Sequence, residues 1–327
     1  MAQIYYYLGH EQFQPEELVN HAILAEQAGF DGLFISDHFN PWVADVGAAG
    51  FAFSTLGAIA HATKNIKLMT GVTTPLFRYH PVIVAQAAAT IDRLSHGRFI
   101  LGVGNGESIN EAPLGYEFPG YKERAGRMTE ALEIMHKLFN GEKVTFTGTY
   151  YQTKNAKLYS PPLHKLQIYL ATGGPKSGLL AAETADGIIV SVKKPEETAE
   201  KIIKPSLEKA RQLGKSSFPV VASRWTVFAE NEKQAFASLK AWRGLRAPSR
   251  DSATDPEQLQ KEADKLSPKE ILSNYTIVAT PEEYITQYKP LITTVGADIV
   301  AIQTTGENQK QIIELLGKEV LPALRNL

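Results

Sequence analysis

The chain has 327 residues, 43% of them apolar, which fits either two domains or one barrel of about 250 residues with insertions. Lys and Arg total 34 and Asp and Glu total 35, so no net field favours nucleic acid or an anionic membrane, and we expect small-molecule partners. The absence of cysteine excludes disulfides, thiolate nucleophiles and cysteine-ligated metal sites. The histidines show no His-Glu-x-x-His spacing, so a metal site has no support either.

The start of the chain and its hydropathy bear on location. Ile4-Tyr5-Tyr6-Tyr7-Leu8 predicts a strand almost at once, without the basic start and apolar stretch of a signal peptide. No run of about 18 apolar residues is present to cross a bilayer. We therefore predict a cytoplasmic protein without membrane contact.

Short β-branched or aromatic runs alternate with amphipathic helical stretches, a pattern typical of βα units that close a parallel sheet. Prolines at the first helical position mark three of the helices, at Pro15, Pro81 and Pro195. The sequence therefore predicts an α/β fold, a (β/α)8 TIM barrel formed by residues 1–327 as a single domain. The predicted strands are Ile4–Leu8, Gly32–Ile35, Ile66–Thr70, Arg98–Val103, Gln167–Ala171, Gly187–Val190, Val220–Phe228 and Asp298–Gln303.

Two segments exceed the minimal βα unit and are predicted as insertions after strands 4 and 7. The first, Asn105–Lys165, contains a predicted helix and a hairpin around Tyr150-Tyr151. The second, Gly244–Ser267, is polar and carries arginines. Long connections on a barrel commonly carry function, so we expect both segments on the catalytic side.

Barrel enzymes build their sites from loops at the carboxyl ends of the strands. The segment Ser36-Asp37-His38-Phe39-Asn40-Pro41-Trp42 follows the second strand and brings together an acid, an imidazole and an indole. Histidine titrates near neutrality, so His38 beside a carboxylate is suited to proton transfer. The alternative is that Asp37 caps the next turn and His38 only bonds to it. The catalytic interpretation is favoured because acids, lysines and glycine turns follow the other predicted strands and should converge on the same face. These residues are Glu11, Gly71-Val72-Thr73-Thr74-Pro75, Gly104-Asn105-Gly106-Glu107, Asn110, Thr172-Gly173-Gly174-Pro175, Lys193 and Lys194.

Two glycine motifs differ in what they indicate. Gly102-Val103-Gly104-Asn105-Gly106 departs from a dinucleotide fingerprint, because its third glycine comes one residue early and a barrel strand precedes it. This argues against nicotinamide binding. In Gly173-Gly174-Pro175, two glycines allow close approach to the backbone and Pro175 lies where a helix begins, so free amides there suit a phosphate. An ordinary strand-to-helix turn is the alternative.

Four motifs at consistent spacing resemble one family. They are Ser36-Asp37-His38-Phe39-x-Pro41-Trp42, Thr74-Pro75-x-Phe77-Arg78-Tyr79-x-Pro81, Gly102-Val103-Gly104-x-Gly106-Glu107-x-x-Asn110-Glu111 and Ala171-x-Gly173-Gly174-Pro175. Over nearly the whole chain, the sequence resembles the coenzyme F420-dependent glucose-6-phosphate dehydrogenases of the bacterial-luciferase-like superfamily. The resemblance implies a TIM barrel that binds the deazaflavin F420 over the strand ends, with its phosphate near Gly173-Gly174. It also implies a non-prolyl cis peptide at Gly71-Val72 and a homodimer formed through barrel helices.

The resemblance further implies roles for individual residues. His38 takes a hydroxyl proton while the carbon-bound hydrogen leaves as hydride, Glu107 supplies a proton to the reduced deazaflavin, and Trp42 packs on the substrate. Glu11 completes the polar wall, and Asp37 orients the cofactor and the adjacent loop. Plain packing for Trp42 and a helix cap for Glu107 are the alternatives. The cofactor-binding residues implied are Asp37, Gly71, Val72, Thr74, Asn110, Ala171, Thr172, Gly173, Gly174 and Pro175.

The expected substrate-binding residues Lys194, Arg250 and Asn274 match the family less well. Lys194 matches a family lysine and Arg250 stands where the family has another lysine, whereas Asn274 stands where the family has an arginine and Asp251 where it has a histidine. Losing a cation and gaining an anion weakens binding of a phosphate dianion unless Arg243 and Arg246 compensate.

Three classes of function stay open. We predict an F420-dependent dehydrogenase of glucose 6-phosphate or another sugar phosphate, with a neutral secondary alcohol as the alternative substrate. An FMN-dependent luciferase-like monooxygenase is a rival on the same fold. A non-catalytic barrel is the rival from another class, and a set that keeps His38, Glu107 and the phosphate turn together argues against it.

Overall fold

The computed structural model describes residues 1–273, 275–306 and 308–327. Strands within these residues alternate with helices along most of the chain. The strands are β1 Gln3–Leu8, β2 Gly32–Ile35, β3 Lys67–Thr70, β4 Phe99–Val103, β5 Val144–Thr147, β6 Gln152–Ala156, β7 Ile168–Thr172, β8 Gly187–Ser191, β9 Val220–Phe228, β10 Thr276–Val278 and β11 Ile299–Thr305.

The helices pack around the outside of the strands. They are α1 Pro15–Gln27, α2 Ala52–Ala62, α3 Pro81–Leu94, α4 Ser108–Glu111, α5 Tyr121–Phe139, α6 Pro175–Thr184, α7 Pro195–Thr198, α8 Lys204–Gln212, α9 Glu232–Ser238, α10 Pro256–Ala263, α11 Pro268–Leu272, α12 Pro281–Thr293, α13 Gln309–Leu315 and α14 Leu321–Arg325. Short 3-10 helices span Ala112–Leu114 and Lys240–Arg246, and π-helical turns span Ala199–Ile203 and Leu316–Val320. The predicted helix starts at Pro15, Pro81 and Pro195 are confirmed.

Strands β1, β2, β3, β4, β7, β8, β9 and β11 pair in that order, every neighbour parallel, and β11 returns to β1. The predicted (β/α)8 TIM barrel is confirmed. Alternation within a strand separates two cores. In β1, Ile4 and Tyr6 face the helices in the larger apolar cluster, whereas Tyr5 lies inside the barrel with Phe34 and Met69.

The segment between β4 and β7 carries the barrel helix α5 and an antiparallel hairpin of β5 and β6. Glu130 of α5 accepts hydrogen bonds from the turn amides of Thr149, Tyr150 and Tyr151. The Tyr151 hydroxyl donates to the carbonyl oxygen of Leu76, at 2.7 Å, in the loop after β3. The hairpin predicted around Tyr150-Tyr151 is confirmed, and its tip reaches the carboxyl end of the barrel.

Strand β9 changes neighbours along its length. Its first half pairs with β8 as far as Ser223, which is level with Ser191. Beyond that point β10 takes the same edge and pairs with Thr226–Phe228. At the carboxyl end of the barrel, β8 and β9 therefore separate, and β10 takes the place of β8 beside β9. The sequence did not predict β10, since a strand of three residues carries almost no alternation.

Candidate active site

A cavity of about 350 Å³ lies at the carboxyl ends of the barrel strands. The predicted catalytic residues Glu11, His38, Trp42 and Glu107 all line it. They come from the loops after β1, β2 and β4, so the barrel brings together residues that are distant in sequence. The cavity also contains Asp37, Gly71, Val72, Thr74, Asn110, Ala171 and Arg250 from the predicted set.

The imidazole of His38 lies between two carboxylates. Its Nε2 is 3.4 Å from Glu11 Oε1 and 3.4 Å from Glu107 Oε2. Its Nδ1 is 3.1 Å from the carbonyl oxygen of Asn40, while Asn110 Nδ2 lies slightly farther away at 3.3 Å. The carbonyl oxygen of Asn40 can only accept and the amide nitrogen of Asn110 can only donate, so these two contacts call for different tautomers of the ring. Nε2 faces the cavity beside both carboxylates, where the imidazole can exchange a proton with a ligand.

The two carboxylates beside His38 have different surroundings. The side chain of Glu11 is only 3% exposed, and its Oε2 accepts a hydrogen bond of 2.5 Å from Ser36. The Tyr7 hydroxyl lies 3.4 Å from Glu11 Oε1, and burial raises the pKa of this phenol well above its usual value, so it stays a donor. The side chain of Glu107 is 36% exposed and pairs with Arg250 at 2.9 Å. One carboxylate is thus enclosed and the other is open to solvent.

Asp37 does not hold His38, contrary to the expectation from their adjacency. Its carboxylate instead accepts hydrogen bonds from Thr73 at 2.8 Å and Tyr79 at 3.2 Å. Arg78 pairs with Asp37 Oδ1 at 2.9 Å and donates to the Asp37 carbonyl at 2.7 Å. Asp37 therefore fixes the loop that carries His38 against the loop after β3.

Arg78 also approaches a second buried acid. Its Nε lies 3.8 Å from Glu111 Oε1, and its backbone amide donates to Glu111 Oε2 at 3.0 Å. Glu111 is completely buried, and burial raises the pKa of its carboxyl to about 7. Two acids therefore share one arginine behind the cavity wall.

The residues around Gly71 and Val72 form one side of the cavity. The peptide bond between them is cis, which confirms the prediction. A Cβ on Gly71 would lie 2.5 Å from the Phe34 ring, and a Cβ on Gly104 would lie 2.5 Å from Val72 Cγ2. Glycine at both positions lets Val72 fill this wall between its neighbours.

The structure also bears on the alternatives for two residues, a helix cap for Glu107 and plain packing for Trp42. Glu107 precedes α4, but its side chain makes no cap hydrogen bond, so the helix-cap alternative is wrong. Trp42 is 3% exposed, and its ring centroid lies 5.2 Å from that of His38. Asn110 accepts hydrogen bonds from the amides of Phe39 and Asn40, which fixes the backbone around His38.

The diglycine turn continues from the cavity wall at Ala171 into α6. Thr172 is buried, and its hydroxyl donates to the carbonyl oxygen of Ile189 at 3.4 Å. No atom lies within 4 Å of a Cβ built on Gly173 or Gly174, so the backbone there is accessible. Pro175 starts α6, whose first-turn amides have no partners within the helix. This turn has room for a phosphate beside the cavity.

A groove of about 570 Å³ adjoins the cavity where β9 leaves β8. Lys194, predicted to bind substrate, lines this groove, and its side chain is 79% exposed and 3.5 Å from Glu197. Asn274, the third predicted substrate residue, lies outside the described residues. The other cationic side chains of the groove are Lys193, Arg224, Arg246 and Arg250.

Arg243 cannot compensate for the missing family arginine. It is buried and pairs with Asp45 and Asp264, each at 2.8 Å. Its guanidinium is therefore already occupied by ion pairs that stabilise the loop after β9. Arg246, the other compensating residue considered, does line the groove.

Sequence reasoning missed several residues that line the cavity, among them Tyr7, Trp225 and Gln303. Each lies two positions beyond a residue that faces the barrel interior, so strand alternation was a signal that could have found them. The indole Nε1 of Trp225 and Oδ1 of Asn105 are buried without a hydrogen-bond partner. Both line the cavity and are available to a ligand.

Comparisons with known proteins agree with this geometry. The model of the luciferase-like monooxygenase family matches residues 2–298. The F420-dependent glucose-6-phosphate dehydrogenase of Nakamurella multipartita is 36% identical over 97% of this chain and 95% of that protein. The chain belongs to the luciferase-like family. The enzyme of the same name from Mycobacterium leprae is 35% identical over 97% of this chain and 96% of that protein.

Two solved structures extend the comparison. An F420-dependent secondary alcohol dehydrogenase in complex with an F420–acetone adduct has a TM-score of 0.90 and 31% identity, and covers 99% of both chains. The F420-dependent tetrahydromethanopterin reductase of Methanopyrus kandleri, with a TM-score of 0.79 and 22% identity, shares the fold. Within the part of this family member that the structure describes, no helix has the length and apolar character needed to span a membrane.

Proposed function

We propose that this protein oxidises an alcohol or sugar hemiacetal, with coenzyme F420 as the hydride acceptor and a sugar phosphate such as glucose 6-phosphate as the preferred substrate. The observation that carries the proposal is the imidazole of His38, which lines the cavity with its Nε2 held between two carboxylates. The likeness to F420-dependent dehydrogenases over nearly the whole chain supports the choice of coenzyme.

The cavity fits a flat ring system with a phosphate attached. When bound, F420 supplies a carbon centre that accepts a hydride. The wall around the cis peptide and the unpaired Oδ1 of Asn105 would face the ring, and the open turn at Gly173 and Gly174 would take the phosphate. The residues that would hold the ring are Asp37, Gly71, Val72, Thr74, Asn110 and Ala171, with Thr172 and Pro175 framing the phosphate turn.

The proton handlers divide the remaining work. His38 Nε2 takes the hydroxyl proton of the substrate as the carbon-bound hydrogen leaves with its electron pair, so the alcohol becomes a carbonyl. Glu11, enclosed and hydrogen-bonded to Ser36, stabilises the imidazolium that forms. Glu107, open to solvent, supplies the proton that accompanies the hydride. Trp42, packed against His38, excludes water and limits the poses of the substrate.

The groove beside the cavity suits an anionic group of the substrate. Lys194 and Arg250 line it. Asn274 is proposed as a further substrate-binding residue on the family resemblance alone. A neutral secondary alcohol is the second candidate substrate. The replacement of a family arginine by Asn274, the acid at Asp251 and the likeness to a secondary alcohol dehydrogenase favour this alternative.

The assembly and location are also proposals. An apolar depression between α1 and α2 is lined by Pro15, Val19, Phe51 and Ala58, and Phe51 is 55% exposed. Such a surface suits a homodimer formed through barrel helices. Light scattering of the purified protein at micromolar concentration tests this, and a monomer would contradict it. We propose a cytoplasmic location.

An initial-rate screen tests the function. The purified protein is mixed with oxidised F420 and with glucose 6-phosphate, other sugar phosphates or small secondary alcohols, and the loss of deazaflavin absorbance is followed. We expect reduction that depends on His38 and is fastest with a phosphorylated sugar. Absence of F420 reduction with every substrate would refute the proposal, and faster reduction with a neutral alcohol would favour the second candidate.

A further inference from the structure

Arg250 lies at the border between the catalytic cavity and the cationic groove. Three residues line both spaces: Trp225, Leu245 and Arg250. Arg250 alone among these three carries a charge. An electrostatic effect that passes between the cavity and the groove through these three residues must therefore act through the guanidinium of Arg250.

The guanidinium of Arg250 is held by several weak contacts. Its Nη2 pairs with Glu107 Oε1 at 2.9 Å, and its Nη1 lies 3.3 Å from the exposed carboxylate of Asp251. The centre of the guanidinium lies 5.4 Å from the Trp42 ring. Its Nε is buried and has no hydrogen-bond partner. The fork of donors is therefore incompletely used, and 40% of the side chain is exposed.

Arg250 also acts on the catalytic histidine through Glu107. One oxygen of Glu107 contacts Arg250, and the other lies 3.4 Å from His38 Nε2. The ion pair with Arg250 fixes the orientation of the Glu107 carboxylate beside His38. The position of Arg250 thus governs the group that we assign to proton supply.

The groove attracts anions to the other side of Arg250. Its lining contains Lys193, Lys194, Arg224 and Arg246 in addition to Arg250, and no acid among the described residues. Arg224 is tied to the carbonyl oxygens of Gln287 and Lys193. Among the groove cations, Lys194 lies beside Glu197, and Arg250 lies beside both Glu107 and Asp251. An anion that enters the groove meets Arg250 on its free side.

We propose that Arg250 is a positioning residue that exchanges between Glu107 and the anionic group of the substrate. Without an anion in the groove, Arg250 stays paired with Glu107 and holds that side chain in place. A phosphate in the groove draws the fork of Arg250 away by a bidentate contact, which is stronger than an exposed ion pair. Glu107 is then released for proton transfer. This inference rests on the proposed function, and it makes phosphate recognition control the rate as well as the binding of the substrate.

Binding of inorganic phosphate to the protein saturated with oxidised F420, which would occupy the proposed phosphate turn at Gly173 and Gly174, tests the exchange without turnover and is measured by titration calorimetry. Glu107→Gln removes the competitor for Arg250, so phosphate affinity should rise about two- to fivefold, the strength expected for an exposed ion pair. Glu11→Gln is the matched control, since Glu11 lies at the same 3.4 Å from His38 and makes no contact with Arg250. It should raise the affinity less than Glu107→Gln does.

The double variant Glu107→Gln, Arg250→Gln separates exchange from general electrostatics. If Arg250 is the exchanged group, Glu107→Gln should bring no gain in phosphate affinity once Arg250 is gone. Arg250→Lys, which keeps the charge and loses the fork, should retain only part of the gain. Thermal melting of each variant confirms that it is folded.

Three results would overturn the exchange: equal effects of Glu107→Gln and Glu11→Gln, a gain that persists without Arg250, or no phosphate binding by the wild-type protein. None of them bears on the coenzyme. Reduction of F420 by a neutral alcohol would leave the proposed dehydrogenase standing while the exchange fails. Absence of all F420 reduction would refute the function even if phosphate binds as expected.

Discussion

The wall behind His38 and the groove beside Arg250 are built in opposite ways. In the wall, Asp37, Arg78 and Glu111 are buried and their contacts span the loops after β2, β3 and β4. In the groove, Lys194 is largely exposed and contacts only a neighbour on its own helical turn. A buried network fixes the position of the base to within a narrow range, whereas exposed side chains are free to change with little effect on folding. The network behind His38 is therefore rigid, whereas the groove residues that we propose to select the substrate can be replaced with little effect on folding.

Loss of the base should have the largest effect of all. We expect His38→Ala to lower turnover at least about 100-fold, since it removes the general base, with the affinity for F420 nearly unchanged. Steady-state rates and fluorescence titration of F420 measure the two quantities. His61→Ala, on the exposed face of α2, is the control and should leave both unchanged. Turnover of His38→Ala at the wild-type rate would remove the mechanism.

Removal of the shared arginine tests the wall. Arg78→Met leaves Asp37 and Glu111 buried without their cation, so the free energy of unfolding should fall by about 4 kcal/mol. Urea denaturation measures this change. Lys201→Met breaks an exposed pair with Glu197 and should lower the free energy of unfolding far less. Equal effects of the two variants would mean that the wall is no more strongly coupled than the surface.

The pH dependence of stability should report on Glu111. Burial raises the pKa of its carboxyl in the folded protein from an ordinary 4.5 to about 7. Its contribution is fully present below pH 4.5 and is lost as the pH rises through 7, because the folded state then carries a buried charge. Glu111→Gln should therefore remove up to about 3 kcal/mol of the fall in unfolding free energy between pH 5 and pH 8. Parallel urea-denaturation profiles for wild type and variant would contradict this assignment.

The smallest effect should come from the groove. Lys194→Gln should raise the KM for glucose 6-phosphate about fivefold, since a single exposed cation contributes little even to a charged ligand. Its kcat with a neutral secondary alcohol should stay the same, because such a substrate places nothing in the groove. Lys261→Gln, which breaks an exposed pair with Glu257 on α10, is the matched control. A similar rise in KM for both kinds of substrate would show that Lys194 does not face the anion.

The sequence was sufficient to predict the barrel, because its strands and helices are each indicated by a local sequence pattern. All eight barrel strands form close to their predicted bounds, and Pro15, Pro81 and Pro195 start helices as predicted. The convergence of Glu11, His38 and Glu107 followed from the rule that parallel strands end on one face. The cis peptide at Gly71-Val72 came from the family resemblance, since no local pattern encodes it.

The contacts within the site were beyond sequence reasoning. Adjacency suggested that Asp37 holds His38, but neighbours in an extended loop point to opposite sides, and Asp37 turns to Arg78 instead. The pairing of Arg250 with Glu107 depends on the conformation of an irregular loop, which no periodicity specifies. Trp225 and Gln303 could have been found through strand alternation. Trp242 also lines the cavity, but it lies in the 3-10 helix Lys240–Arg246, which carries no such alternation.

The division of the barrel wall at β9 has a consequence for how this scaffold acquires new specificities. Strand β10 pairs with the carboxyl-terminal end of β9 and borders the groove, but it does not belong to the closed ring of strands. Insertions or deletions there leave every hydrogen bond of that ring in place. A library that randomises this appendage, with the remainder of the protein held constant, is therefore the economical route to dehydrogenases for other alcohols.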